Sequence, residues 1–192
     1  GHYATSTAMA ELAALAASTE AMPIVAIRPP LVWGPGDTQL NGRLVERARQ
    51  GRLLLVGSGA ALIDTTYVSN AADALVAALD RCDDLGGRSL VVSNGEPRTV
   101  HELFARITRA AGLEWTPRRV PTGVAVRGGS VAERVWDRTG RHDDPPMTSF
   151  LAEQLATAHW FDQRATRQAL GWVPGVSLAV GFEHLARSFT EQ

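Results

Sequence analysis

Lysine is absent from the sequence, and all 19 basic residues are arginine. A mechanism that needs a lysine side chain from this chain is therefore excluded. Cysteine occurs once, at Cys82, so an internal disulfide bond cannot form. No apolar run approaches the roughly 20 residues that span a bilayer, and no secretory signal is recognisable. These absences predict a cytoplasmic protein without a membrane anchor.

Acidic and basic residues are nearly balanced, and the net charge is -1. This balance argues against a broad positive surface, so we expect no binding of nucleic acid. The composition, 45% apolar and 20% charged, is typical of a globular protein, and 192 residues suffice for one domain or slightly more. The first residues, Gly1-His2, resemble a cloning remnant, which suggests a piece of a longer protein.

An apolar run followed by a proline- and glycine-rich turn is the most informative stretch. The unbroken run at residues 24–27 favours a buried strand, and two prolines directly after Arg28 remove backbone donors and end it. Residues 34–36, Gly-Pro-Gly, then turn the chain toward Asp37, a candidate helix N-cap. Ligands of open α/β sheets bind beyond the carboxyl ends of the strands, so this loop is a candidate site.

The rest of the chain alternates helical patterns with short apolar strands. Helices are predicted over residues 5–20, 37–50, 71–81, 99–112, 161–170 and 177–189, and strands over residues 24–28, 89–93 and 115–120. Ser69 is a candidate cap of the third helix, and residues 57–59 (Gly-Ser-Gly) predict a hairpin or a sharp bend. Residues 121–140 predict a helix broken around Gly128 and Gly129. This alternation predicts an α/β fold.

Two other stretches of the sequence are candidates for a metal site and for a phosphate-binding loop. His142, Asp143 and Asp144 have atom types that bind metals, but no further ligand cluster lies nearby in the sequence. Neighbouring prolines and charges favour a solvated loop, so we predict no metal site. Residues 57–59 lack the Gly-x-Gly-x-x-Gly spacing and do not open a helix, so we do not predict a phosphate-binding loop there.

Five segments, in this order, resemble motifs of the extended short-chain dehydrogenase/reductases, and within them of the 3β-hydroxysteroid dehydrogenase/isomerase-type branch. The segments are residues 3–6 (Tyr-Ala-Thr-Ser), 28–37 (Arg-Pro-Pro-Leu-Val-Trp-Gly-Pro-Gly-Asp), 64–74 (Asp-Thr-Thr-Tyr-Val-Ser-Asn-Ala-Ala-Asp-Ala), 93–97 (Ser-Asn-Gly-Glu-Pro) and 160–174. One such segment alone would be weak evidence for the family, but five segments in the family's order are specific evidence for it. The resemblance covers nearly the whole chain.

The resemblance implies an α/β fold that is the C-terminal portion of a Rossmann-type extended short-chain dehydrogenase/reductase. Residues 1–36 and 69–100 are then the remnant of the nucleotide-binding domain, and residues 37–68 and 101–192 form a small substrate-binding domain. The family's first strands, with the Gly-rich turn that holds the pyrophosphate, are not in this sequence. We expect the exposed sheet edge to need a partner: the N-terminal half as a separate chain, a lost segment, or copies of this chain as a homo-oligomer.

Enzymes of this family bind NAD or NADP and move a hydride between the nicotinamide and a carbon that bears oxygen. The resemblance implies that binding of NAD or NADP requires the missing N-terminal half, so we expect the chain alone not to bind either nucleotide tightly. The resemblance implies that Tyr3 is the catalytic proton donor and that Thr7 stands where the family has a lysine. The residues implied to contact the cofactor are Arg28, Pro29, Pro30 and Leu31. The residues implied to line the substrate pocket are Trp33, Thr66 and Tyr67. Core packing is the alternative interpretation of Trp33 and Tyr67.

Thr7 is the main departure from the family pattern. The family's lysine lowers the pKa of the tyrosine four residues before it, because a phenol with a pKa near ~10 is a poor base at neutral pH. A threonine hydroxyl can form hydrogen bonds but carries no charge. We therefore expect weak or absent family chemistry from the isolated chain.

Three functions stay open from the sequence. The first is the substrate-binding half of an NAD(P)-dependent oxidoreductase that acts on a secondary alcohol or ketone of a small apolar molecule, such as a sterol or a β-keto acid. The second, favoured by Thr7, is a non-catalytic, degenerate subunit that binds a small ligand or a protein partner. The third is a nucleotide-sugar epimerase or dehydratase. The Asp-Thr-Thr-Tyr-Val motif at residues 64–68 is more similar to the motif of the steroid-type branch than to that of these enzymes.

Overall fold

The computed structural model of the protein describes residues 2–139 and 148–191. The helices in this part of the chain are α1 (His2–Ala16), α2 (Asn41–Arg49), α3 (Val68–Asp80), α4 (Cys82–Leu85), α5 (Val100–Ala110), α6 (Thr122–Thr139), α7 (Ser149–Ala156), α8 (Arg164–Leu170) and α9 (Leu178–Thr190). The strands are β1 (Ala26–Arg28), β2 (Val32–Trp33), β3 (Leu54–Val56), β4 (Leu62–Ile63), β5 (Thr66–Tyr67), β6 (Ser89–Val91), β7 (Arg98–Thr99) and β8 (Arg118–Val120).

The described strands pair two by two. Three pairs are parallel, β1 with β6, β2 with β5 and β3 with β8, and one pair, β4 with β7, is antiparallel. Parallel strands need a crossover connection, and helices of this chain supply it. The α/β fold predicted from the sequence is confirmed.

One compact unit, called unit 1, comprises residues 1–35, 64–96 and 161–184. Its parallel pair β1–β6 aligns Ile27 with Leu90, so the two apolar runs predicted as strands lie side by side. Helix α3 packs its alanine face into the core of this unit. The buried core residues are Ala74, Ala78, Leu85, Leu90, Val92, Leu170 and Trp172. Small alanines let the helix approach the strands closely, which explains a face with so few large side chains.

The second unit, unit 2, comprises residues 36–63, 97–160 and 185–192. The pair β3–β8 carries Val56, which packs with Ala125 of α6 and Ala152 of α7. Helix α5 contributes Leu103 and Ile107, which are 1% and 0% exposed. The division by contacts differs from the predicted domains, since residues 64–68 and 161–184 fall in unit 1. The roles given to the two predicted domains stay predictions.

Local signals at helix ends gave correct and incorrect boundaries. The Thr99 hydroxyl accepts the backbone N–H of Glu102 at 3.1 Å, which confirms the predicted cap of α5. The start predicted at Asp37 is wrong, because the carboxylate of Asp37 accepts the N–H groups of residues 39–41 in a separate turn. Helix α2 therefore begins at Asn41. Competition between local side-chain bonds and the helix explains the shift.

The predicted cap at Ser69 is also wrong. Helix α3 already begins at Val68, and the buried Ser69 hydroxyl has no hydrogen-bond partner in the described part of the chain. Tyr67 precedes the helix, and its backbone N–H donates to Asn94 Oδ1 at 3.0 Å. A side chain 27 residues away thus fixes the residue that directly precedes the helix.

Glycines explain one of the two predicted alternatives at residues 57–59 and one further difference in α6. Residues 57–59 form a bend rather than a hairpin, since β3 and β4 pair with other strands, and both glycines have positive φ angles of 62° and 70°. Helix α6 runs unbroken through Gly128 and Gly129, so the predicted break is wrong. A Cβ at Gly129 would lie 2.5 Å from the backbone nitrogen of Ser149, so this glycine permits the start of α7 to approach α6.

Candidate functional site

The carboxyl ends of the parallel strands of unit 1 converge on the loop predicted as a site. Strand β1 ends at Arg28 beside Val91 of β6, and β2 starts four residues later, at Val32, beside Thr66. The pairing of β1 with β6 continues one residue beyond the strand ends, since the N–H of Val92 donates to the Arg28 carbonyl at 3.2 Å. Residues 29–31 therefore form a bend at the sheet edge where ligands of α/β proteins bind.

Leu31 adopts an unusual backbone conformation in this bend. Its φ angle is +38°, and no other non-glycine residue in the described ranges has a positive φ. Such a conformation is costly for a residue with a Cβ and persists where its surroundings impose it, which occurs often at functional sites. Leu31 is also 46% exposed, and the adjacent Val32 is 37% exposed. The bend thus presents apolar side chains outward.

Thr66 lies inside unit 1 behind this bend. It is 0% exposed, and its hydroxyl lies 3.0 Å from the carbonyl oxygens of both Pro30 and Val92. Its backbone N–H donates to the Leu31 carbonyl at 3.3 Å. The structure therefore places Thr66 against the backbone of the bend, and its role in contacting a substrate stays a prediction.

Trp33 and Tyr67 form a buried aromatic cluster with two residues of α9. The Trp33 ring stacks on Phe182 with centroids 4.5 Å apart and meets the Tyr67 ring edge-on at 5.5 Å. The Tyr67 hydroxyl lies 3.0 Å from Nδ1 of His184. Trp33 is 1% and Tyr67 5% exposed, so both are core residues of unit 1. This burial agrees with the alternative interpretation of both residues as core packing. The prediction that they line a substrate pocket stays a prediction.

Gly181 explains how α9 reaches the cluster. A Cβ at this position would lie 2.8 Å from the Tyr67 ring and 3.2 Å from the Trp33 ring. Only a residue without a Cβ fits between the helix and the two aromatic rings. The sequence placed Phe182 on an apolar helix face but gave no signal for its partners, which lie more than 100 residues away along the chain.

Two buried asparagines fix the loops around β5. Asn70 donates from Nδ2 to Asn94 Oδ1 at 3.0 Å and to the Val176 carbonyl at 2.7 Å. The N–H of Val176 donates back to Asn70 Oδ1 at 3.0 Å, and Asn94 Nδ2 also donates to the Val176 carbonyl. Sequence reasoning missed this function of Asn70 and Asn94, although both lie in the segments that resemble family motifs.

Asp64 contributes a buried carboxylate at the end of the same network. It is 1% exposed, one oxygen accepts the N–H of Phe161 at 3.0 Å, and the other oxygen has no partner among the described residues. Burial raises the pKa of Asp64 above its ordinary value, against the lowering effect of the Phe161 N–H and of Arg167. Gln163 Nε2 and Arg167 Nε are likewise buried without a partner there.

We expect the Asp64→Asn variant to change how stability depends on pH. Because the folded pKa is raised above 3.8, the folded state binds this proton more tightly than the unfolded chain. The contribution of Asp64 to the free energy of unfolding is therefore most favourable below the unfolded pKa and declines as pH rises through the folded pKa. Urea unfolding at about pH 4 and about pH 7 should show the wild type losing stability relative to Asp64→Asn as pH rises.

Asp162→Asn is the matched control for this prediction. Asp162 is exposed, and its hydrogen bonds with Arg164 lower its pKa to about 2. Because the folded pKa of Asp162 is lowered, its contribution to the free energy of unfolding grows as pH rises, which is the opposite of Asp64. Most of this change lies below the two pH values of the urea experiment. A wild-type curve parallel to that of Asp64→Asn between the two pH values would contradict the assignment of a raised pKa to Asp64.

Helix α1 carries the predicted catalytic positions. Tyr3 and Thr7 lie one turn apart on it, but the side chain of Tyr3 falls outside the described part of the structure. Glu11, one turn further, accepts from Nε of Arg28 at 2.6 Å, and a second bond joins Nη2 to the other carboxylate oxygen. This pair lowers the pKa of Glu11. The charge of Arg28 is thus compensated within the chain, and its contact with a cofactor stays a prediction.

The residues of the bend fit one end of a nicotinamide nucleotide. Exposed Leu31 and Val32 present an apolar edge of the kind on which a flat, apolar ring packs. Pro29 and Pro30 have no N–H that would be left unsatisfied there. The Gly-x-Gly-x-x-Gly motif that binds a pyrophosphate does not occur in the sequence. The residues of the bend therefore fit the nicotinamide end of the nucleotide and not its pyrophosphate.

Two other site types find no support in the described residues. No group of three or more His, Cys, Asp or Glu side chains is arranged there to hold a metal ion, and His142, Asp143 and Asp144 lie outside the described residues. None of the described helices has the length and apolar character required to cross a membrane.

Two curated relatives share much of this sequence. A 2-alkyl-3-oxoalkanoate reductase from Stenotrophomonas maltophilia is 42% identical over 189 residues, which are 97% of this chain and 57% of the relative. A 2-alkyl-3-oxoalkanoate reductase from Shewanella oneidensis is 38% identical over 198 residues, covering 97% of this chain and 51% of the relative. The chain thus spans about half the length of the curated relatives it matches.

The fold is also that of a solved enzyme. The crystal structure of a dTDP-glucose 4,6-dehydratase from Bacillus anthracis in complex with NAD superposes with a TM-score of 0.67 at 17% identity, covering 100% of this chain and 53% of that one. This similarity shows a Rossmann-like α/β fold. Residues 1–121 match the sequence pattern of one family, and this match covers more than half of the chain. The chain therefore belongs to the 3-beta hydroxysteroid dehydrogenase/isomerase family.

Proposed function

We propose that the protein is part of an NAD(P)-dependent oxidoreductase that interconverts a ketone and a secondary alcohol. The observation that carries this proposal is the strained, outward-facing Leu31 at the carboxyl ends of parallel strands. A binding function explains why a costly conformation is kept at a position where ligands of this fold bind. When bound, the nicotinamide supplies or accepts the hydride.

The residues of this chain then have separate tasks. Tyr3 exchanges the proton of the substrate oxygen, and Thr7 supports it with an uncharged hydroxyl. Arg28 holds α1 against β1 through Glu11, and the bend at residues 29–31 supports the nicotinamide ring. Trp33 and Tyr67 form a rigid base under this bend, which keeps its position fixed.

The substrate class proposed is a small, apolar oxo or hydroxy compound, either β-keto-acid-like or sterol-like. The names of the two relatives support a 3-oxoalkanoate, and the family name supports a hydroxysteroid. The choice between NAD and NADP depends on recognition of the adenosine ribose, for which the sequence offers no matching motif. Both nucleotides therefore belong in every assay.

A non-catalytic subunit is the second candidate function, and position 7 favours it. Thr7 is exposed on α1 and cannot provide the cation that activates a tyrosine. Helix α3 exposes Leu75, Val76 and Leu79, of which Leu79 is 73% exposed, and such an apolar face supports a protein partner. This partner would be a nucleotide-binding chain or a second copy of this protein. A nucleotide-sugar epimerase or dehydratase is supported by the fold alone.

The test combines native mass spectrometry with an assay of the purified protein. We expect NADH or NADPH to bind, and a 2-alkyl-3-oxoalkanoate to be reduced at a low rate. The Tyr3→Phe variant should lose at least about 100-fold of this rate, since it removes the proton donor. Equal rates for the wild type and Tyr3→Phe would refute the catalytic role. Binding of a second polypeptide without any nucleotide would support the non-catalytic subunit instead.

A further inference from the structure

A single buried residue fixes both peptide groups that flank Leu31. The Thr66 hydroxyl lies 3.0 Å from the carbonyl oxygen of Pro30, which belongs to the peptide group before Leu31. The Thr66 N–H donates to the carbonyl of Leu31 at 3.3 Å, which belongs to the peptide group after it. The orientations of these two groups determine φ and ψ of Leu31. Thr66 therefore holds the backbone of Leu31 from both sides.

The same hydroxyl connects the bend to the neighbouring strand. Its oxygen lies 3.0 Å from the carbonyl of Val92, directly after β6. A hydroxyl has one hydrogen, so the two carbonyls share a single donor. Thr66 and its contact with the Val92 carbonyl are buried, so water cannot readily replace the donor there, whereas the contact with the Pro30 carbonyl is half-buried. The hydroxyl thus sets the position of the bend relative to the sheet.

We propose that Thr66 is a positioning residue that keeps Leu31 in its strained conformation and its apolar side chain outward, toward the nicotinamide. This inference rests on the proposed function for the identity of the ligand only. It gives Thr66 a task different from the substrate contact that the sequence implied, because the side chain touches backbone carbonyls and is 0% exposed. Removal of the hydroxyl should release the bend and weaken nucleotide binding.

The test compares Thr66→Val, which removes the hydroxyl at similar shape, with Thr66→Ser, which keeps it. Amide hydrogen exchange of the full chain is measured by mass spectrometry over peptides that cover residues 29–33 and 64–67. Thr108→Val is the matched control. Its hydroxyl is also buried and donates to a backbone carbonyl, that of Phe104 at 2.9 Å, but it lies in unit 2.

We expect exchange over residues 29–33 to become about tenfold faster in Thr66→Val, as for the loss of one buried hydrogen bond. Thr66→Ser should stay within about twofold of the wild type, and Thr108→Val should leave this segment unchanged. Unchanged exchange over residues 29–33 in Thr66→Val would overturn the proposal. A rise spread evenly over unit 1 would also overturn it, because it would indicate general packing rather than positioning.

Titration with NADH and NADPH separates this inference from the proposed function. If the wild type binds a nucleotide, Thr66→Val should bind it about tenfold more weakly. Thr66→Ser, which keeps the hydroxyl, should bind it with the affinity of the wild type. Equal affinity of the wild type and Thr66→Val would overturn the link between Thr66 and the ligand. If the wild type binds neither nucleotide, the proposed function fails, while the exchange data still decide whether Thr66 holds Leu31.

Discussion

Trp33→Ala is expected to lower the free energy of unfolding by about 3–5 kcal/mol. The side chain is 1% exposed and contacts aromatic rings from two other segments of unit 1. Its truncation removes the stacking on Phe182 and leaves a cavity where the rigid surroundings cannot collapse fully. It also removes the donor of the bond from Nε1 to the Thr65 hydroxyl, 3.0 Å long. Urea unfolding followed by circular dichroism measures the effect.

Two variants sharpen this prediction. Trp33→Phe keeps an aromatic ring but loses the indole N–H, and should cost about 1–2 kcal/mol. Trp160→Ala is the control for a tryptophan outside the core, since Trp160 is 56% exposed, and should change stability by less than about 0.5 kcal/mol. Equal effects of Trp33→Ala and Trp160→Ala would show that Trp33 is not a core residue, and would favour a role at a surface instead.

Elements with strong local signals were predictable. Helix α8 ends at Leu170, and Gly171 follows in a left-handed conformation with φ of 61°, as a glycine after a short amphipathic helix predicts. The strands β1 and β6 were recognisable from their unbroken apolar runs, although β1 is half-buried rather than buried and begins at Ala26. In these cases the deciding interactions lie within a few residues of each other, so the pattern contains the information.

Contacts between distant segments were not predictable. Nothing in the sequence around Asn94 indicates that its side chain binds Val176, and nothing around Tyr67 indicates His184. The cap assigned to Ser69 is wrong because α3 already begins at Val68, and the residue before it, Tyr67, is held by the distant side chain of Asn94. A single sequence gives propensities and periodicities, whereas long-range polar pairs depend on how the elements meet in three dimensions.

The bend at residues 29–31 was predictable from the sequence, whereas its function as a site stays a prediction. Two prolines and a strand end placed the bend at residues 29–31, where the structure has its strained residue. The positive φ of Leu31 was not predictable, since leucine rarely adopts it and the backbone groups beside it contact Thr66, 35 residues further along the chain. The roles of Thr66 and Arg28 likewise depend on partners, a carbonyl and Glu11, that residue type alone does not reveal.

Thr7→Lys is expected to raise the rate of alcohol oxidation at pH 7 by about 10- to 1000-fold. An ammonium group one helical turn from Tyr3 lowers the pKa of a phenol by about one to three units. The fraction of phenolate at neutral pH rises by the same factor, because the unperturbed pKa is near 10 and each unit is tenfold. Oxidation of the 3-hydroxy acid that corresponds to a 2-alkyl-3-oxoalkanoate, followed as formation of NADH or NADPH, measures the gain.

The pH profile distinguishes activation of Tyr3 from a nonspecific effect of added charge. In Thr7→Lys the pH of half-maximal rate should move down by one to three units, in step with the gain at neutral pH. The double variant Tyr3→Phe with Thr7→Lys should show neither the gain nor the shift. Thr5→Lys should also show neither, because position 5 is two residues after position 3 and lies on the opposite face of α1. A Thr7→Lys protein that binds the nucleotide but gains no turnover would show that the lost lysine is not what limits this chain. The function would then lie in the ligand or partner that unit 1 binds.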